Sequence, residues 1–382
     1  MINRTLLVVL GTRPEIIKLS PLLSRLHEVC DRVVVVHSGQ HYSYEMDALF
    51  FEELGLASPR YRLNVGAAGL GPGEQTARML AGLEPIIKRE QPALTLVQGD
   101  TNTTLAGTLA SVKLGVPVMH LEAGCRSFNR AMPEELNRVM VDHVARWLLA
   151  PDETARLNLV AEGCQHQAEI HVVGSTGLEA CRRAAPLASR RPLLEELKLI
   201  PGGYLAMTLH RAENTTPEIL PGLVRVINGL AADCPVVFPV HPRTGAMLDK
   251  LGLILSSGVI QLKPLGYLDM LGLMIGAKAV LTDSGGLQEE AAVLGRPVLV
   301  LRQETEWSYL VESGKAVLVG NTFPTTLEKC RYYLQPGNLL TLEEARIPVP
   351  ADISGSILKI IAEFFNRNTN LVTNGRGDLV KV

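Results

Sequence analysis

The chain has 382 residues, a formal charge of −2, 47% hydrophobic residues and only 4% aromatic ones. That is apolar material for two cores, too little aromatic surface for large stacking platforms, and no basic block for nucleic acid or an electrostatic membrane anchor. No apolar run reaches membrane-spanning length, Met1 to Arg4 leads into a run too short for a signal-peptide core, and the six cysteines form no CxxC pair, so a cytoplasmic protein with reduced cysteines and no metal site is expected.

The first element is the apolar run Leu6–Leu10, which ends in Gly11-Thr12-Arg13-Pro14-Glu15. Further strands are predicted at Arg32–His37, Ala93–Gln98, Val116–Leu121, Trp147–Ala150 and Glu169–Val173. Helix-period patterns over Pro14–Glu28, Gln75–Glu90, Thr104–Leu114 and Pro133–Arg146 lie between them. Apolar runs without alternation, separated by helices, imply a parallel sheet covered on both faces. Gly66–Gly73 lacks the Gly-Lys-Ser/Thr ending of a P-loop, and no GxGxxG follows a strand. It reads as a mobile surface loop, which speaks against a nicotinamide enzyme or a nucleotide triphosphatase.

Thr176 to Gly203 reads as a helical linker, after which the pattern restarts. Strands are predicted at Tyr204–Thr208, Val236–Pro239, Val259–Leu262, Ala279–Thr282 and Val298–Leu301, with helices over Pro217–Ala232, Tyr267–Ile275 and Gly286–Leu294. The expected fold class is therefore α/β, with two Rossmann-like, doubly wound parallel-sheet domains. Their expected bounds are 1–175 and 204–353, joined by the linker 176–203 and followed by a helix over 354–366 and a polar, loosely held tail over 367–382. The Asn102 and Asn214 sequons and the Arg376-Gly377-Asp378 triplet read as incidental.

Doubly wound sheets bind ligands at the carboxyl ends of their strands. Arg13 and Glu15, Gln40-His41, Asp100-Thr101, and Glu122 with Arg126 all follow strands of the first half. His210-Arg211, His241-Pro242-Arg243 and Asp283-Ser284 follow strands of the second. The turns after Leu10 and after Thr282 each open a helix, whose unpaired N–H groups suit a phosphate. Two such openings fit a ligand gripped by two domains. Asp100 reads either as a helix N-cap or as a catalytic group. Glu122, a carboxylate leaving an apolar strand into a Gly turn, reads as functional. Glu134 and Arg138 are spaced for a simple i, i+4 ion pair, and Pro133 with two acidic residues after it suits a helix start. The two strand-end His-and-Arg groups read as a cationic pocket for a diphosphate. Ser284, Gly285 and Gly286 offer backbone donors, with Glu290 a turn further on for ribose hydroxyls or for the helix dipole.

Together these segments closely resemble the non-hydrolysing UDP-N-acetylglucosamine 2-epimerases. The matching motifs are GTRPEIIK at 11–18, SGQHYSYEM at 38–46, QGDTNTT at 98–104, HLEAGCRS at 120–127, MPEELNR at 132–138, LHRAEN at 209–214, HPR at 241–243, DSGGLQEEA at 283–291 and ETEW at 304–307. They run in family order across nearly the whole chain. The resemblance implies the two-domain GT-B fold, with the last helix crossing back to the first domain, and no external cofactor or metal. It makes Asp100, Glu122 and Glu134 the catalytic carboxylates, with Lys18, Arg138 and His210 as supporting groups. Arg13, His210, Ser284, Gly285, Gly286 and Glu290 become UDP-binding residues, joined by His241 and Arg243 from the cationic pocket.

The implied reaction is reversible C2 epimerisation of UDP-N-acetylglucosamine to UDP-N-acetylmannosamine through 2-acetamidoglucal, feeding cell-surface polysaccharide synthesis. A homodimer with a UDP-sugar as its small-molecule partner is expected. The family's arginine after the threonine-glutamate pair is replaced by Trp307, with Arg302 nearby as a substitute. Gln40 and Gln75 lie where some bacterial members bind a second, activating sugar nucleotide; the surrounding segment differs, and that regulation is not carried over. The alternatives are a 2-epimerase of a UDP-2,3-diacetamido-glucuronate, a hydrolysing epimerase, a glycosyltransferase and a catalytically silent UDP-sugar sensor.

Overall fold

A computed structural model describes residues 3–40, 50–66, 70–305, 307–343, 350–368, 371–373 and 379–381. His41, the middle of the Gly66–Gly73 loop, Glu306 and the Arg376-Gly377-Asp378 triplet lie outside the described residues. The chain divides into two compact units, Met1–Ala180 with Pro350–Val382, and Cys181–Val349.

The first unit runs β1 (Thr5–Leu10), α1 (Arg13–Leu23), β2 (Arg32–His37), β3 (Tyr61–Arg62), α2 (Pro72–Glu90), β4 (Leu94–Gln98), α3 (Asn102–Lys113), β5 (Val118–Leu121), α4 (Pro133–Val144), β6 (Trp147–Ala150), α5 (Glu153–Ala161), β7 (Glu169–Val172) and the start of α6 (Thr176–Ala188). Its strands form one parallel sheet in the order β3-β2-β1-β4-β5-β6-β7. Leu6 of β1 pairs in register with Val33 of β2 on one side and Leu94 of β4 on the other. All six residues of β1 are buried, as the continuous apolar run requires of a strand covered on both faces. Val9, Val36, Val97 and Leu148 of the sheet pack with Met79, Leu83, Ala106 and Val141 of the helices in one core.

The second unit continues through α7 (Leu193–Glu196), β8 (Leu205–Thr208), α8 (Leu220–Ala231), β9 (Val236–Pro239), α9 (Pro242–Leu251), β10 (Val259–Leu262), α10 (Tyr267–Gly276), β11 (Ala279–Thr282), α11 (Gly285–Val293), β12 (Val298–Val300), α12 (Ser308–Glu312), β13 (Ala316–Leu318), α13 (Thr325–Tyr333) and α14 (Pro336–Glu343). The parallel order β10-β9-β8-β11-β12-β13 repeats the permutation of the first sheet. Leu205, Met207, Phe238 and Leu281 pack against Leu223, Ile227 and Leu230 of α8.

The chain then returns as α15 (Ile353–Asn368), which belongs to the first unit, and ends in a hairpin of β14 (Leu371–Thr373) and β15 (Leu379–Lys381). Buried Glu179 accepts the amide of Ser354 at 2.7 Å and its hydroxyl at 3.0 Å, which fixes the start of α15. None of the described helices is long and apolar enough to cross a membrane.

Four strands went unread in the sequence: β3, β13, and β14 and β15 of the hairpin in what was expected to be a loose polar tail. β3 has two residues and β13 three, too few to show a pattern. Helices α5, α9, α12, α13 and α14 were also missed. In α9 the opening residues His241-Pro242-Arg243 drew a reading as pocket residues, yet Pro at the first helical position is a start signal.

Candidate active site

In each sheet the strand order reverses once, between β1 and β4 and between β8 and β11. Loops leaving neighbouring strands part at such a point and leave room for a ligand. In the first unit, the loops there are Gly11-Thr12 and Gly99-Asp100-Thr101. A Cβ on Gly11 would lie 1.8 Å from Ser38 Oγ and 2.5 Å from Thr103 Oγ1, so only glycine fits. Glu15 is 2% exposed. Its Oε2 accepts the amides of Gly11 and Thr12 at 2.9 and 2.8 Å, reaching back as in a capping box. Its Oε1 accepts the Thr101 hydroxyl at 2.8 Å. Burial raises the Glu15 pKa, and these hydrogen bonds offset part of that rise. Glu15 is thus an anchor that ties the first turn to the Asp100 turn. Arg13 places its guanidinium 5.6 Å from the centroid of the Phe50 ring. Gln40 Oε1 accepts the Thr103 amide at 3.1 Å, and Gln75 Nε2 donates to the Gln40 carbonyl at 3.2 Å.

Glu122 leaves β5 with φ 64°, a conformation that costs a non-glycine residue about 1–2 kcal/mol and persists only where the surroundings enforce it. Lys18 of α1 donates to one of its oxygens and Gln98 of β4 to the other. Asp100 receives Arg138 of α4, and its own carbonyl accepts Asn137 Nδ2 at 2.9 Å. The N-cap reading of Asp100 fails, because Thr101 caps α3 by accepting the Thr104 amide. The Glu134–Arg138 ion pair does not form either. Arg138 is drawn to Asp100 and, at 2.9 Å, to Glu135. Glu134 stands exposed in the first turn of α4, with no hydrogen bond or ion pair to the described residues. Its neighbour Glu135 is buried and holds the Ser127 and Phe128 amides, both at 2.9 Å. Burial pushes the Glu135 carboxyl up, but those amides and Arg138 outweigh it and hold it below its ordinary value.

In the second unit Asp283, fully buried at the end of β11, organises the strand ends. It accepts the amides of His210 at 3.1 Å and Arg211 at 2.9 Å, and Asn214 Nδ2 at 3.1 Å. His210 Nδ1 lies 3.0 Å from it. Burial raises Asp283, and this set of donors, led by the His210 side chain, overrides burial and lowers it. His210 and His241 stand with ring centroids 5.7 Å apart, and Arg243 Nη1 donates to the His210 carbonyl at 3.3 Å. His241 also caps α9, its Nδ1 accepting the Arg243 amide at 3.2 Å. The histidine–arginine cluster is therefore real. Ser284 is the N-cap of α11 and makes no side-chain cap bond, so the first-turn amides from Gly285 onward are left unpaired by the helix itself. Nothing lies within 4 Å of a Cβ built on Gly286.

Glu290 is the sixth residue of α11, half-buried, and close enough to Tyr267 to help burial push that phenol well above its ordinary value. Arg302, the substitute for the missing arginine, is 6% exposed and reaches Glu213 at 3.3 Å. Trp307 donates its amide to Thr305 Oγ1 at 3.2 Å and meets the Tyr309 ring edge-on.

Gln98 and Glu135 were not singled out in the sequence as site residues, and Glu15 and Asp283 were named only among the strand-end polar groups, with no role given. Each sits at a strand end or in a helix's first turn, and that position was their only signal. One other group, His143, Glu162 and Cys164, brings possible metal-ligand atoms within 4.8 Å of one another. Both Glu162 oxygens are taken by Arg126, at 2.8 and 2.7 Å, and burial pushes the Cys164 thiol up to about 11. That donor set suits a guanidinium and not a metal ion.

A family model described as UDP-N-acetylglucosamine 2-epimerase matches residues 25–345. The chain is 43% identical over 333 residues to the UDP-N-acetylglucosamine 2-epimerase of Methanococcus maripaludis, which covers 85% of this chain and 89% of that one. It is 41% identical over 330 residues to the UDP-2,3-diacetamido-2,3-dideoxy-D-glucuronate 2-epimerase of Pseudomonas aeruginosa, covering 85% and 91%. The crystal structure of Methanocaldococcus jannaschii UDP-GlcNAc 2-epimerase in complex with UDP-GlcNAc and UDP matches with a TM-score of 0.84 at 39% identity, covering 94% of this chain and 99% of that one. The match spans most of this chain and of these relatives, and the chain belongs to the UDP-N-acetylglucosamine 2-epimerase family.

Proposed function

We propose that the enzyme interconverts UDP-N-acetylglucosamine and UDP-N-acetylmannosamine by eliminating UDP to 2-acetamidoglucal and adding it back. The observation that carries this reading is Glu122. It is held at positive φ at a strand end, bonded by Lys18 and Gln98, and lies against the Asp100 turn, where a Cβ on Gly99 would sit 3.5 Å from its Oε2. Proton removal from C2 and its return from the opposite face need more than one carboxylate, and Asp100 and the exposed Glu134 complete the set.

In the forward step a carboxylate takes the C2 proton. The C–H electron pair forms the C1=C2 bond, and the C1–O bond breaks with its electrons leaving on UDP. In the return step a phosphate oxygen attacks C1 and C2 is protonated on its other face. Lys18 and Arg138 supply countercharge to Glu122 and Asp100. Arg13, His210, His241, Arg243 and the amides of Ser284 to Gly286 hold the diphosphate as negative charge develops on it, and Glu290 holds the ribose. Each step of this route moves a proton or makes or breaks a C–O bond to phosphate, and none moves a hydride, so nicotinamide has no part in it. The reading places the enzyme in the cytoplasm, in keeping with its six free cysteines. It also makes it a homodimer, which the exposed apolar stripe Leu136, Met140 and Val144 on α4 favours.

Incubation with UDP-N-acetylglucosamine in heavy water tests the proposal. NMR is expected to show deuterium at C2 and a mixture of the two UDP-linked epimers. Stoichiometric release of free N-acetylmannosamine overturns it. The 41% identity to the Pseudomonas aeruginosa enzyme favours a second reading, epimerisation of a UDP-diacetamido-glucuronate. Comparing kcat/KM on the two substrates decides between them.

A further inference from the structure

Behind the Asp100 and Glu122 turns lies a buried charged cluster that the proposed chemistry does not use. His120 of β5 and Asp142 of α4 are both fully buried, with His120 Nδ1 2.7 Å from Asp142 Oδ1. His120 Nε2 lies 2.8 Å from the carbonyl oxygen of Gly99. A carbonyl only accepts, so Nε2 carries a proton, and Nδ1 faces a carboxylate. Asp142 Oδ2 accepts the Gly124 amide at 3.0 Å and Arg126 Nη2 at 2.8 Å, and Arg126 in turn pairs with Glu162. Two acids thus face two basic side chains, and each ring nitrogen and each Asp142 oxygen has a partner.

The two backbone groups this cluster holds are informative. The Gly99 carbonyl belongs to the peptide that leads into Asp100, so the His120 bond fixes the plane from which Asp100 projects. The Gly124 amide closes the turn that begins at Glu122. That turn is held from the far side too, where Asn158 donates to the Gly124 carbonyl at 3.0 Å and a Cβ on Gly124 would lie 2.2 Å from the Ala155 carbonyl oxygen. Glu122 stays in its strained conformation because the chain two residues on cannot move.

We propose that His120 and Asp142 are positioning residues for the epimerisation, setting the pitch of the backbone that carries Asp100 and Glu122. The inference rests on the epimerase reading. Neither residue contacts substrate in this account. Their effect is on geometry, where a misplacement of about 1 Å costs on the order of a hundred-fold in rate.

Two substitutions separate the bonds. Asparagine at 120 places an amide nitrogen where Nδ1 stands and keeps the Asp142 bond, whereas glutamine reaches to where Nε2 stands and keeps the Gly99 bond. His120→Asn is expected to lower kcat by about ten- to a hundred-fold, with KM and UDP affinity within about two-fold of wild type and C2 deuterium exchange falling with kcat. His120→Gln is expected to recover most of that loss. A folded His120→Asn with wild-type kcat overturns the proposal. So does a folded His120→Gln that loses as much as His120→Asn. Failure of both variants to fold also overturns it, by making the cluster a stability element. The wild-type arm keeps the two readings apart. If wild type exchanges C2 protons and the variants match it, this inference falls and the epimerase reading stands. If wild type exchanges none, the epimerase reading itself falls.

Discussion

Lys18 and Glu122 meet across 104 positions of sequence, the ammonium of α1 resting on a carboxylate oxygen at the end of β5. Both side chains are mostly buried, at 18% and 12% exposure. The lysine stem is itself confined, since a Cβ on Gly177 at the start of α6 would lie 3.3 Å from Lys18 Cγ. Removing one partner of a pair this enclosed leaves a poorly solvated charge behind. The informative substitution therefore keeps the shape of the glutamate; it removes the charge and the ability to take a proton together, so the variant's folding is checked before its rate is read.

Glu122→Gln is expected to lower turnover by about 10²–10⁴-fold, the usual contribution of a positioned general base or acid. UDP affinity should largely hold, because His210, His241, Arg243 and the start of α11 lie in the other unit, and in its own unit, which also holds Arg13, Glu122 is bonded by Lys18 and Gln98. Calorimetry on the folded variant checks this. Loss of UDP affinity in parallel with rate would mean that Glu122 is structural.

Activity is expected to survive exhaustive EDTA treatment unchanged. The only described cluster with metal-ligand spacing is taken up by Arg126, and the proposed steps balance without a Lewis acid. Loss of activity in chelator, restored by one divalent ion, would contradict both points.

The alternation of apolar runs with helix-period segments made both sheets legible, because parallel strands covered on both faces carry a strong and local signal. The strand-end carboxylates and histidines were legible for the same reason, since the end of a strand is visible in sequence. What pairs with them was not. The i, i+4 spacing of Glu134 and Arg138 suggested a pair, and the fold sends Arg138 across to Asp100, 38 positions away. Asp100 looked like a cap because it precedes a helix, and the following Thr101 takes that role. Hydrogen bonds such as Gln98 to Glu122 depend on strand register, which no local pattern encodes.

Asp283 gives a pH prediction. Its ordinary value is 3.8, and in the folded chain the His210, Arg211 and Asn214 donors hold it lower in spite of burial. The folded state therefore binds that proton less readily than the unfolded one. The ionised carboxylate contributes stability above pH 3.8, and the contribution is lost as pH falls through the lower, folded value. Asp283→Asn should unfold at lower urea than wild type near neutrality, and the gap between the two midpoints should close below pH 3.8. A gap that is constant with pH would show that shape, and not charge, is what Asp283 contributes.

Glu290 distinguishes nucleotide binding from helix stability. As the sixth residue of α11 it lies beyond the first turn, where the helix dipole chiefly acts, so complementing the dipole is not its role. A structural use that remains is its contact with Tyr267. If its carboxylate bonds the ribose hydroxyls, Glu290→Ala should weaken UDP by the worth of a charge-assisted hydrogen bond, about 1.5–3 kcal/mol. The glycal carries no ribose, so its binding in the presence of saturating UDP should change little. Tyr267→Phe is the control, since it removes the phenol and leaves the carboxylate. It should leave UDP affinity near wild type. Glu290→Ala with unchanged UDP affinity and a lowered Tm would assign the carboxylate a structural role and no part in nucleotide binding. Equal losses of UDP affinity in both variants would mean that Glu290 acts on the nucleotide only through the phenol.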